Sequence, residues 1–214
     1  MGKIKQGILG GFSGGVGTVV GGTWKGIDYM RIRPARVSNP QTDPQLDQRK
    51  KFAVTMKFLQ PISQFIRIGF KNFAVKMTAM NAAFAYNIRN ALKGTYPDYE
   101  ISYANALVSR GNLAPALNPA VQSTISGTVE FTWADNSTDI NASPLDKTML
   151  VVYNPLKGQA VCVVDDGIRS DSPQTVTVPN SFLGDQVQCY IGFISADGQE
   201  VSNSNYAGVV TVFD

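Results

Sequence analysis

Seven cations, Lys25, Arg31, Arg33, Arg36, Arg49, Lys50 and Lys51, lie near one another in the chain, with Trp24 and Tyr29 interleaved among the first of them. Cations that meet phosphates, beside rings on which bases stack, are what a nucleic-acid strand requires. The same cations would equally seat an acidic protein face, where charge complementarity sets register and encounter rate. Either use is contact chemistry rather than bond-making. Covalent catalysis is poorly supplied, because the chain has no histidine. That removes the commonest general base and the commonest metal ligand together. It also excludes Ser-His and Cys-His nucleophiles and leaves a zinc site without its usual donors.

The remaining chemistry-bearing clusters are carboxylates and glycines. Asp165, Asp166 and Asp171 could offer oxygens to Ca²⁺, yet their spacing fits no EF-hand loop, so a polar loop is expected. Asp135, Asp139 and Asp146 flank a second loop and read the same way. Glycoside cleavage would need two acids held about 5–10 Å apart in a cleft, and nothing in the pattern indicates one. The run from Gly14 to Gly22 is not followed by Gly-Lys-Ser/Thr and opens no helix, so it is not a phosphate loop. No catalytic, cofactor-binding or metal-ligating residues are therefore expected, and the chain reads as a non-enzyme. The cations with Trp24 and Tyr29 are its candidates for assembly or anion contact.

The elements that position these residues change character near residue 117. Residues 1–117 hold sixteen Lys/Arg against five Asp/Glu, whereas residues 118–214 hold three against eleven. A net charge of +3 therefore hides a strong dipole, the mark of a protein built to touch something. Two domains are expected, 1–117 and 118–214. Residues 1–26 contain ten glycines, and the spacing predicts a hairpin of Val16 to Trp24 and Ile27 to Arg33 turning at Lys25-Gly26. An isolated hairpin is marginal in water, so this arm requires the following helices or a neighbouring subunit to pack on. An extended link over 34–42 leads to a helix start, with Thr42 as cap and Pro44 in the first turn. Helices are expected over 43–59, 61–70 and 72–92, with Phe52, Met56 and Leu59 on one stripe. Phe73, Met77, Met80, Phe84, Ile88 and Leu92 form a second core-facing stripe, closed by Gly94. A strand over 100–110 is expected to join the hairpin.

From residue 120 the period becomes two. Seven strand-like runs, 120–125, 128–134, 147–154, 159–165, 174–178, 186–195 and 206–213, are separated by turn signals, the pattern of a β-sandwich. Cys162 and Cys189 fall in apolar runs and read as reduced, buried thiols. No run of about 18 apolar residues exists, so no transmembrane helix is expected. The stretch after Lys5 is too glycine-rich for a signal peptide, and Gln6 breaks the myristoylation pattern. Synthesis in a cytoplasm follows, with an assembled particle as the destination.

Two resemblances add to this. Thr128-Val-Glu-Phe-Thr-Trp133 resembles the second strand of a fibronectin type III-like domain, with Trp133 as core tryptophan. Tyr190 to Ser204 is similar to that family's sixth strand and following turn, with Leu183 at the preceding corner. The fold this implies is an immunoglobulin/fibronectin III-like sandwich, with Cys162 on its fourth strand and Cys189 on its sixth, not neighbours. The whole is α+β: a hairpin-and-helix module, then the sandwich. Gly2 to Ser13, Val16 to Gly21, Trp24-Lys25-Gly26, Asn39 to Thr42 and Gln48-Arg49 resemble a bacterial family of uncharacterised function. That resemblance implies bacterial and prophage gene sets and brings no activity. The expected function is a self-associating structural protein, plausible as a phage or phage-like virion component, acting as a homo-oligomer or docked into a larger assembly. Two alternatives are a nucleic-acid-binding module using the basic half and a surface or carbohydrate-binding accessory protein, which would need exposed Trp or Tyr on the sandwich. No membrane partner is expected.

Overall fold

The computed structural model describes residues 2–4, 10–35, 39 and 41–214. The chain divides into two compact units, residues 1–45 and 46–214. The α+β class stands. The linker near residue 117, expected to separate two domains, lies inside the second unit, for a reason that the packing makes plain.

The first unit is a four-stranded antiparallel meander of β1 (Lys3–Ile4), β2 (Phe12–Val16), β3 (Val19–Trp24) and β4 (Ile27–Ile32). The expected hairpin is its β3–β4 half. Lys25 and Gly26 both take positive φ, the two-residue turn whose twist matches its strands. The strand expected over 100–110 does not join this sheet.

The second unit begins within the first turn of α1 (Asp43–Leu59), which α2 (Ser63–Gly69) follows. A 3₁₀ turn at Lys71–Phe73 and α3 (Ala79–Asn90) replace the single helix expected over 72–92. Lys76 takes a φ of 56°, and Thr78 caps α3 by accepting from the Asn81 N–H at 3.1 Å, so the helix restarts there. The chain leaves α3 directly into a hairpin, β5 (Leu92–Thr95) with β6 (Asp98–Ile101). Gly94 thus serves a strand and not a helix end.

The sandwich follows as β7 (Leu117–Gln122), β8 (Thr128–Ala134), β9 (Lys147–Asn154), β10 (Gln159–Ile168), β11 (Gln174–Thr177), β12 (Gln186–Ile194) and β13 (Asn205–Thr211). One sheet runs β11-β8-β7 and the other β10-β9-β12-β13. The larger sheet is covered on both faces. Leu150, Val152, Cys189, Ile191 and Phe193 enter the core between the sheets, with Val129, Phe131 and Trp133 opposite. Their alternates Met149, Val151, Tyr153, Tyr190 and Ile194 enter a second core, with Phe58, Leu59, Ile62, Phe65, Ile66 and Phe70 from α1, α2 and the turns on either side of α2. Hence β9 is buried from Thr148 to Asn154, as a two-faced strand must be. Helices, large sheet and small sheet form three layers, and residue 117 merely marks where the third begins.

A polar seam fixes the helices to the sheet. Ser204 Oγ accepts from the Val108 N–H at 2.9 Å, Ser109 Oγ donates to Ser202 O at 3.0 Å, and the Arg110 N–H donates to Gly69 O at 2.8 Å. Glycine is required on both sides of this seam. A Cβ on Gly69 would stand 2.7 Å from Ser109 Cβ, and one on Gly192 would stand 2.9 Å from Ser109 Oγ. On α3 the fully buried residues are Ala83 and Asn87, and most of the expected stripe packs beside them, with Phe73, Met80, Phe84 and Leu92 partly buried against the helical core. Asn87 Nδ2 donates to Leu107 O at 2.9 Å while its Oδ1 accepts from the Leu107 N–H at 3.0 Å. Small residues and a backbone-like amide let the chain approach; Met77, in the segment before the helix, is 40% exposed.

Candidate functional site

The candidate residues fall on both units. Trp24, Lys25, Tyr29, Arg31 and Arg33 belong to the first, and Arg49, Lys50 and Lys51 to α1; Arg36 lies outside the described residues. On α1, Lys51 is engaged within its own unit. Its Nζ donates to Asp47 Oδ2 at 2.7 Å and lies 5.2 Å from the Tyr99 ring centroid. The Lys51 hydrogen bond, with another from the Tyr99 hydroxyl, holds Asp47 below the usual carboxylate range. Arg49 and Lys50 are exposed.

In the N-terminal sheet the register gives each face a composition. Val19 pairs with Ile32, Gly21 with Met30 and Thr23 with Asp28, and in β2 Val16 faces Val19 while Gly14 faces Gly21. One face therefore carries Phe12, Val16, Val19, Met30 and Ile32, with Thr23 hydroxyl bonded to Asp28. The other carries Val20, Trp24, Ile27, Tyr29 and Arg31. Glycine makes the sheet thin. Any Cβ on Gly21 would collide with the Phe12 carbonyl, and Gly22 lies beneath the Tyr29 ring, whose Oη would be 3.0 Å from an added Cβ. Large apolar side chains consequently stay in water on both faces: Met30 is 71% exposed, Ile32 78%, Ile27 59% and Trp24 53%. Among the described residues none of this unit enters either buried apolar cluster.

The outer edge of β4 is open. The Arg33 N–H donates to Thr18 O at 2.7 Å, so the pair 18/33 is hydrogen-bonded. Alternation along an antiparallel ladder then makes Arg31, Tyr29 and Ile27 the bonded residues toward β3. It turns the N–H and C=O of Asp28, Met30 and Ile32 outward. Among the described residues no strand pairs with that edge.

The carboxylate loops of the sandwich are tied internally. Asp146 accepts from the Arg169 guanidinium at 3.1 Å and from the Ser143 N–H at 2.9 Å, and Asp135 accepts from the Ser137 N–H at 2.9 Å. Asp165 bonds Lys147 at 2.5 Å. No group of three or more His, Cys, Asp or Glu is placed to hold a metal among the described residues. Arg169 is the buried group that sequence reasoning passed over. It has no exposed surface, also bonds Asn136 at 2.7 Å and Ala114 O at 2.8 Å, and lies 3.9 Å from the Phe193 centroid. Burial draws its pKa below the usual value while Asp146 opposes that. The available signal was an arginine alone among acids in the C-terminal half. With Lys157 bonded to Asp185 at 2.5 Å, all three cations of that half are engaged.

Trp133 is 6% exposed, its indole N–H donating to Arg169 O at 2.7 Å, so it offers no platform to a sugar. Cys162 and Cys189 are free thiols on opposite faces of the large sheet. No helix of the described residues is long and apolar enough to cross a membrane.

Comparison with known proteins gives a family and likenesses to solved structures. The family model described as "Family of unknown function (DUF6266)" matches residues 11–208. Nothing among curated proteins matches the chain. Among solved structures, the fn3 domain of human collagen alpha-1(XX) chain is 15% identical, with 48% of this chain and 89% of that chain covered and a TM-score of 0.37. At that score the likeness carries no argument, and the sandwich rests on its own strand order.

Proposed function

We propose that this chain, which belongs to the DUF6266 family of unknown function and takes no activity from it, is a non-enzymatic structural protein that self-associates through its N-terminal sheet. One observation carries the reading: a four-stranded sheet with large apolar side chains in water on both faces and, among the described residues, none in a buried apolar cluster. Such a sheet is stable only when something covers it. Full burial of a large apolar side chain is worth about 1.5–3 kcal/mol. Six half-exposed ones, Val16, Trp24, Ile27, Tyr29, Met30 and Ile32, would then yield on the order of 5–9 kcal/mol. That is comparable with the roughly 4–15 kcal/mol lost on association, so burial of side chains alone gives a weak contact. The open edge of β4 supplies the rest. Two copies paired antiparallel about Met30 would bond Met30 to Met30 and Asp28 to Ile32, using every outward N–H and C=O of that edge. In that register Tyr29 stands opposite the partner copy's Arg31, a cation–π pair.

The test is light scattering on the full chain, on a chain lacking residues 1–33, and on Met30→Pro. The Met30 N–H points away from β3, so proline there spares the internal ladder and blocks the new one. Oligomers are expected from the full chain and monomers from both variants. Unchanged assembly in both variants would refute the proposal.

A second reading has one observation in its favour: Trp24, Tyr29 and Arg31 share a face, as stacking and phosphate contact require. A gel shift with single-stranded oligonucleotides separates the two. A phosphate binder shifts them at low salt and releases them steeply as salt rises, and no shift at low salt discards it.

A further inference from the structure

We infer that the helical layer holds a binding site for a small anion carried on a flat apolar body. The site is a cavity of about 500 Å³ beside α3, within the size range of small-molecule pockets. Phe70, Phe73, Met77, Ala82 and Ala85 form its apolar wall, and Arg89 and Arg110 stand at its polar end. This site is independent of the N-terminal sheet and of any assembly made through it.

Arg110 is the anchor. Its backbone is fixed by the bond to Gly69 O at 2.8 Å, inside the polar seam. Its guanidinium lies over Phe73, 4.3 Å from the centroid, and 5.5 Å from that of Tyr86. The group is half-buried, yet it has no acidic partner and no side-chain hydrogen bond among the described residues. A guanidinium carries five donors and satisfies them when it can. Arg169, the other arginine stacked on a ring, shows what this chain does when the purpose is structural: Asp146, Asn136 and a carbonyl engage it. Arg110 keeps the stacking and lacks the acceptors. Its planar donor fork is held rigid and unpaired, which lowers the ordering cost of binding an oxyanion.

The surroundings favour the same ligand. Residues 46–117 contribute ten Lys/Arg against three Asp/Glu, so the layer attracts anions. Arg89 lies one turn beyond Tyr86 on α3, on the same side as Ala82 and Ala85. The two alanines keep the surface of α3 low where it lines the cavity. Carboxylate and phosphate oxygens both match the fork.

The experiment is a fluorescence titration of the full chain with 1-anilinonaphthalene-8-sulfonate, alongside its uncharged analogue N-phenyl-1-naphthylamine. Saturable binding of the sulfonate is expected. Arg110→Met should weaken it about tenfold, the value of a charge-assisted contact, and leave the neutral dye within about twofold. Ala85→Phe should fill the cavity and remove the binding of both dyes there. Dye on the N-terminal sheet is insensitive to either substitution and subtracts out. Arg110→Lys keeps the charge without the fork and should fall between wild type and Arg110→Met; the far-ultraviolet helix signal reports that each variant is folded. Displacement of the dye by 2-naphthoate assigns a carboxylate ligand and displacement by 2-naphthyl phosphate a phosphate; displacement by neither overturns the inference. So does equal sulfonate binding in wild type, Arg110→Met and Ala85→Phe.

Discussion

Phe58→Ala in α1 tests whether helices and sandwich are one folding unit. Phe58 is 2% exposed and packs edge-on to Tyr153 at 5.2 Å between centroids, with Tyr103 at 5.9 Å and Tyr190 at 6.2 Å. Truncating a core phenylalanine costs about 3–5 kcal/mol, and three ring contacts place this site in the upper part of that range. With a urea slope of about 2–3 kcal/mol per molar, a loss of about 4 kcal/mol lowers the midpoint by roughly 1.5–2 M. The assay needs two reporters, one on each side of the large sheet. Trp133, in the inter-sheet core and bonded to Arg169 O, reports the sandwich once Trp24 is replaced by Phe. The far-ultraviolet helix signal reports the other side. Since β9 sends Met149, Val151 and Tyr153 to the helices and Leu150 and Val152 to the sandwich, neither core can be lost alone. Both signals should shift together by the full amount. A helix signal that moves while Trp133 emission keeps its wild-type midpoint would refute the three-layer reasoning and restore a boundary near residue 117.

Two further outcomes follow from the buried groups. Arg169→Met leaves the Asp146 carboxylate, itself only 2% exposed, without its counter-charge and should cost about 3–5 kcal/mol in urea denaturation; a loss under 1 kcal/mol would show that the pair is not buried. Burial pushes the Cys162 thiol up to about 11 and the Cys189 thiol up to about 12. Raised thiol values mean that the folded chain lacks the reactive thiolate until the pH climbs through them, whereas unfolded thiols ionise near the ordinary value. Iodoacetamide at pH 8 should therefore label neither cysteine in native buffer and both in denaturant, and rapid native labelling of Cys189 would contradict its placement.

The sandwich was legible because each strand there obeys a local rule. Thr128–Ala134 alternates buried and half-buried residues, and the turn signals at Gly127, Gly184 and Gly198 all adopt positive φ. The continuous apolar run Met149–Tyr153 could have disclosed more. A strand with no polar face is one that something covers twice, and that is the information a boundary at 117 discarded. The helical stripe was legible in part. Periodicity found Phe73, Met80, Phe84 and Leu92, which pack partly buried against the core, but it does not say which residues of α3 are wholly enclosed. Those are Ala83 and Asn87, because close approach permits the Asn87–Leu107 amide pair. Of the candidate site, sequence nominated Trp24, Tyr29 and the cations. It could not assign Lys51 to Asp47, nor see that Arg110 stays unpaired while Arg169 does not. Those outcomes depend on contacts distant in sequence.

Charge, read with the fold in hand, takes on a different role from the one that composition suggests. Residues 46–117, with ten cations against three acids, and residues 118–214, with three against eleven, belong to the same unit. The opposition is therefore fixed within a single unit, and an apolar sheet lies between the helices and the small sheet. Such a unit is polarised, and in the proposed assembly the polarity orients copies as they approach. Orientation of this kind fades with salt, since exposed charges more than about 8 Å apart are screened at physiological ionic strength. Adhesion through the edge of β4 and its apolar faces is short-ranged and does not. The two contributions are separable in kind: one sets how fast and in what direction copies meet, the other whether they stay together, and only the second requires the N-terminal sheet.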